Sequence, residues 1–138
     1  PLATRRLSLT SRDRDTDRRM NDVGTFLRTH AHRPLRLAEV AAAASMSPPT
    51  LCRFFRRTTG LTVWQYLMEV RIAAACHKLR TTDDRVIDIA HACGFANIAH
   101  FNRTFRSLRG QAPTSYRATA VEPASGPRRP AAQDAHSS

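Results

Sequence analysis

Lysine is almost absent from this chain. Lys78 is the only one, so the rest of the 22 basic residues are arginine. Glycine and aromatic residues are also scarce, at five glycines and 7% aromatics, which argues against an all-β sandwich with its many turns. Three cysteines, Cys52, Cys76 and Cys93, are far apart and form no Cys-x-x-Cys pair. That excludes a disulfide framework and suits a reducing compartment, with a cytoplasmic location as the expectation. No apolar run approaches the ~20 residues of a membrane span, and no signal peptide is evident. The first residue is Pro1 rather than methionine, from which a piece of a longer protein is expected.

What is present is positive charge and helical periodicity. The formal net charge is +11 over 138 residues. A cationic surface of that size attracts polyanions, with nucleic acid ahead of a membrane surface or an acidic protein partner. The chain is 41% hydrophobic, enough for a core, and its alanines and leucines recur at helical spacing. Residues 1–16 carry dense mixed charge without a sustained apolar period and read as a linker or disordered arm. Residues 120–138 are rich in Pro, Ala and Ser and read as a disordered tail.

Between these ends the pattern predicts an all-α fold. The first helix, about Asp17 to His30, aligns Met20, Val23, Phe26 and Leu27 in one stripe. A second covers Leu37 to Ala44. Ser47 is a fitting N-cap with Pro48 at the first helical position of a third helix, which runs to about Thr58 and stops at Gly60. A fourth spans Val63 to Leu79 with two adjoining apolar rows, Leu67, Val70, Ala74 and Met68, Ile72, Ala75, Leu79. Thr82 or Asp84 is expected to cap a fifth, Val86 to Ala92. Asn97 caps a sixth, to about Leu108, and Pro113 opens a seventh through about Ala118.

Two stretches of this pattern repeat. Leu37-Ala-Glu-Val-Ala41 matches Val86-Ile-Asp-Ile-Ala90 at an offset of 49, and Leu51-Cys-Arg53-Phe-Phe55-Arg56 matches Phe101-Asn-Arg103-Thr-Phe105-Arg106 at an offset of 50. The second copy has one extra residue in its turn. Gly60 then matches Gly110, and Tyr66 matches Tyr116. A short helix, a tight turn and a longer basic helix, occurring twice, form a duplicated helix-turn-helix. The expected organisation is seven helices forming two helix-turn-helix subdomains, 17–62 and 82–119, joined by a long connecting helix, 63–81.

In such a motif the first helix braces the second, whose N-terminal outward residues meet base edges in the major groove. The pairs Leu51/Phe55 and Phe101/Phe105 are expected to bury one face of each second helix. That leaves Pro49, Thr50, Cys52 and Arg53 outward in the first copy, and Ile98, Ala99, Asn102 and Arg103 outward in the second, as candidate base contacts. Arginine can fork onto guanine N7 and O6, and asparagine can pair with adenine N7 and N6. Ser47, Arg56, Arg57, Asn97, Arg106 and Arg109 are the candidate phosphate contacts. A connecting helix of about 17 residues is roughly 25 Å long, suited to holding two recognition helices about one DNA turn (~34 Å) apart with some bending of the duplex.

Other chemistry fits less well. His91-Ala-Cys93, Cys76-His77 and His100 lack the paired spacing of a zinc site, and no cysteine has the positioned partners of a nucleophile. No metal, cofactor or enzymatic activity is expected. Cys76 and Cys93 read as small buried hydrophobes, and Trp64 and Tyr66 as packing residues rather than base-stacking ones. Single-stranded nucleic acid would call for exposed stacking aromatics, whereas these phenylalanines are spaced for burial. The rival from another class is a basic interaction module that contacts an acidic protein such as a polymerase subunit.

The segments "LRLAEVAAAASMSPPTLCRFFRRTTGLTVWQYLMEVRIAAACHKL" and "VIDIAHACGFANIAHFNRTFRSLRGQAPTSYR" resemble the DNA-binding domain of AraC/XylS-type bacterial transcription regulators. The resemblance covers about Asp17 to Ala118. It is most specific at Ile89-Ala90, Gly94-Phe95, Phe101, Arg103, Phe105, Gly110, Pro113 and Tyr116-Arg117. It implies promoter binding near RNA polymerase, usually as an activator and often as a dimer. It also implies a separate N-terminal domain for a small effector, which nothing in this chain resembles. The subtype looks like members with a cupin-type sensor, often for sugars. Pro49 departs from the family, because it stands where a base-contacting side chain is common. The first copy is therefore expected to read bases mainly through Arg53 and Thr50.

Overall fold

The computed structural model describes residues 11–121, all helices and connections. Among the described residues seven helices occur in order: α1 Ser11–His30, α2 Leu37–Ala43, α3 Pro48–Thr59, α4 Val63–Thr81, α5 Val86–Ala92, α6 Ile98–Arg109 and α7 Pro113–Val121. Among the described residues there is no strand, and no helix is long and apolar enough to cross a membrane. Helix α1 starts six residues before the Asp17 expected from apolar spacing, so 11–16 are helical rather than part of a linker. The reason is charge. Asp15 pairs with Arg18 at 3.6 Å and Arg19 at 3.1 Å, i,i+3 and i,i+4 pairs that support a helix without an apolar stripe. At the other end α7 runs to Val121, so the first two residues of the expected tail are helical. The remaining parts of the expected arm and tail, 1–10 and 122–138, lie outside the described residues.

The described residues divide into two compact units, with the boundary between Leu67 and Met68. In the first, Val23, Leu27, Val40, Ala41, Leu51, Phe55 and Leu67 are buried to within 1%. Phe54 joins them, a residue that i,i+4 spacing alone had not singled out. In the second, Ile72, Ala75, Leu79, Ile89, Ala90, Phe95, Phe101 and Phe105 form one core, with Cys76 and Cys93 buried inside it. Burial pushes the Cys93 thiol pKa up, as expected for a cysteine acting as a small hydrophobe.

Helix α4 departs from the expected apolar rows at two places. Ala74 is exposed, and Arg71 is buried, with its guanidinium carbon 5.9 Å from the centre of the Phe95 ring. Burial lowers the Arg71 pKa, and the aromatic face offsets part of the lost hydration. The long arginine stem also fills apolar space. The expected cap on α5 differs as well. Its N-cap is Arg85, with no side-chain cap bond, while Thr82 Oγ1 accepts from the Asp84 amide in the preceding loop. Trp64 is 40% exposed rather than packed, whereas Tyr66 packs edge-on against Phe55 with centroids 5.6 Å apart.

Candidate nucleic-acid interface

Each unit builds its outward helix with the same local devices. The turn that enters α3 is a Schellman motif. The Met46 amide donates to Ala41 O at 2.9 Å and the Ser45 amide to Ala42 O at 3.0 Å, with Ser45 at φ +57°. The turn that enters α6 repeats it: Phe95 donates to Ala90 O at 3.0 Å and Gly94 to His91 O at 3.1 Å, with Gly94 at φ +103°. The extra residue of the second copy, Ala96, falls after this motif and before the cap. Ala41 and Ala90, at matched positions of the two short helices, are both buried to within 1%.

Side-chain caps then set the start of each long helix. Ser47 Oγ accepts from the Thr50 amide at 3.3 Å and donates to Thr50 Oγ1 at 2.9 Å. Asn97 Oδ1 accepts from the His100 amide at 2.8 Å. The partial positive charge at both N-termini favours an anion there. At the other ends Gly60 and Gly110 adopt φ +82° and +78°, and each amide donates 2.8 Å to the carbonyl of Arg56 or Arg106.

Burial of the inner face decides the outer one. Leu51, Phe55, Phe101 and Phe105 are fully buried, as their spacing predicted. Pro49, Thr50, Cys52 and Arg53 are exposed on α3, together with Ser47, Arg56 and Arg57. On the second unit Ala99, Asn102, Arg103 and Arg106 are exposed on α6, with Asn97 at its cap. Ile98 is different: it is half-buried and packs partly on the core, because the first turn of α6 lies over that core. Arg109 differs too. One of its terminal nitrogens lies 2.7 Å from Glu69 Oε1 on α4, a bond that raises the arginine pKa above its ordinary value. Arg53, Arg56, Arg57, Arg103 and Arg106 have no carboxylate within ion-pair distance among the described residues.

One candidate escaped the sequence reading. His100 is exposed at the α6 position that matches Thr50 of α3, and its ring stacks edge-on against Phe95 with centroids 5.4 Å apart. The 50-residue offset was the signal that could have found it.

Comparison with known proteins agrees with this geometry. Residues 40–119 match the family model described as a helix-turn-helix domain. The HTH-type transcriptional activator RhaS of Escherichia fergusonii is 37% identical over 116 residues, 84% of this chain and 42% of that protein. The chain thus spans less than half the length of that relative. An AraC-type DNA-binding domain protein from Chromobacterium violaceum superposes with a TM-score of 0.74 at 25% identity, covering 78% of this chain and 96% of that one. The DNA-binding domain of AdpA, solved in complex with a target DNA, superposes with a TM-score of 0.71 at 31% identity over the same shares. Two helix-turn-helix motifs with matched caps, turns and outward arginines, in a chain so related, place this protein in the AraC-type family of transcription regulators, as its DNA-binding domain.

Proposed function

We propose that this chain recognises double-stranded promoter DNA by sequence, with α3 and α6 each entering a major-groove segment. The observation that carries this is the recurrence of one arrangement in both copies. Arg53 and Arg103 are exposed at matched positions of helices whose opposite faces are fully buried. Both are assigned to base edges, Arg103 together with Asn102 and Arg53 together with Thr50. Pro49, Cys52, Ile98 and Ala99 contribute apolar contact. Ser47, Arg56, Arg57, Asn97 and Arg106 contact phosphates and set register.

Because RhaS is named as a transcriptional activator, activation is the proposed direction of regulation, with RNA polymerase as a partner and the cytoplasm as the location. A small-molecule effector would act through a domain outside this chain, and that domain would also support a dimer.

Selection from a random duplex library supplies a preferred site, and a salt-titrated gel shift measures discrimination. Arg103→Ala should cost about 1–3 kcal/mol at the selected site and relax preference at one base pair. Equal losses on selected and random duplexes would reassign Arg103 to phosphate. No preference at all in the wild type would favour a basic module that binds an acidic protein.

A further inference from the structure

The arginines of α6 are not equivalent. Arg103 and Arg106 project into solvent, whereas Arg109, in the last turn, has a side chain only 26% exposed and a nitrogen 2.7 Å from Glu69 Oε1. The matching position in the first copy, Thr59, carries no charge and donates its hydroxyl to Phe55 O at 2.9 Å. The pair is thus peculiar to the second unit.

We propose that Glu69 is a positioning residue that withholds Arg109 from the DNA backbone and so holds down the sequence-independent affinity of α6. The inference rests on α6 facing DNA. An N–H already committed to a carboxylate at this distance is not available to a phosphate, and the carboxylate itself repels one. Phosphate contacts supply sequence-independent affinity, and each adds about 0.9 to the slope of log affinity against log salt. In a chain of net charge +11, one neutralised arginine limits how tightly any duplex is held.

Fluorescence anisotropy on a random 25-base-pair duplex across a salt series, using the 138-residue chain, tests this. Glu69→Gln should bind several-fold more tightly at low salt, with a slope steeper by about one contact. Asp83→Asn, which removes an exposed negative charge from the same unit without touching Arg109, should gain clearly less. Arg109→Gln should keep the wild-type slope, and the double variant Glu69→Gln/Arg109→Gln should lose the gain of Glu69→Gln.

A flattened slope in Arg109→Gln would show that Arg109 already contacts phosphate and would overturn the proposal. So would equal gains in Glu69→Gln and Asp83→Asn, a comparison that stands even if Arg109→Gln fails to fold. Arg103→Ala on the selected site, run in parallel, reports separately whether α6 meets DNA at all.

Discussion

The first and second units solve the same folding problem with different residues. Both close a Schellman turn between a short and a long helix. The first does so with Ser45 at φ +57°, where a side chain is strained, and the second with Gly94, where it is not. Both bury the long helix through an i,i+4 pair, yet the second strings its rings together. Phe95, Phe101, Phe105 and Tyr116 follow one another at centroid distances of 5.2, 5.7 and 5.5 Å. The first unit has Met46 and Leu51 at the matching positions and keeps only the last step, Phe55 to Tyr66. It compensates with Phe54, buried where the second has the half-buried Thr104.

One device is shared beyond the motif. Tyr66 accepts a hydrogen bond from Arg28 at 3.1 Å and Tyr116 from Arg80 at 2.8 Å, so each tyrosine ties the helix before its motif to the helix after it. What differs between the copies is core chemistry; what persists is the frame that aims the outward arginine.

Substitutions can break or sharpen this contrast. The largest effect is expected in the ring series. Phe101→Ala should cost about 3–5 kcal/mol in urea unfolding, and Leu51→Ala about 2–5, with Phe101 the more costly because aromatic pairs add about 0.5–1.5 kcal/mol beyond area. Equal losses would mean that the ring series adds nothing to burial. Next comes the turn. Gly94→Ala should cost about 1–2 kcal/mol, whereas Ser45→Gly should gain about 0.5–1 kcal/mol, an opposite sign at matched positions. A loss in Ser45→Gly would show that Ser45 is not strained.

The caps should behave alike, with Ser47→Ala and Asn97→Ala each lowering stability by about 1 kcal/mol. The smallest effect belongs to Glu39, whose carboxylate accepts from the Arg36 amide at 2.9 Å and then from Arg33, which holds its pKa below the ordinary value. A depressed carboxylate pKa stabilises the fold above the unfolded pKa, and that contribution is lost as pH falls through the folded one. The unfolding-midpoint gap between wild type and Glu39→Gln should therefore be visible near neutral pH and close in acid.

Much of this architecture was written in the chain. Ser47, Asn97, Gly60 and Gly110 mark helix ends because their short side chains or left-handed backbones satisfy groups a helix leaves open. Those rules are local. The repeat needed only matched apolar spacing, and the outward positions of Arg53 and Arg103 followed from burying Leu51, Phe55, Phe101 and Phe105. Periodicity could not find the start of α1, which rests on Asp15 with Arg18 and Arg19 rather than on an apolar stripe.

Other features came only from packing. Arg71 stood outside the apolar rows read for α4, yet α4 turns it onto Phe95 inside the second core. Ile98 looked outward, but it leans on that core. Arg109 was a candidate phosphate contact, and folding brings a carboxylate 40 residues away in sequence to 2.7 Å from it. Sequence by itself determined that the helices exist, the caps of the two long outward helices and the duplicated motif, since these depend on neighbours within a turn or two. Tertiary structure alone decided which charged groups meet a distant partner, because a partner brought close by folding leaves no trace in local spacing.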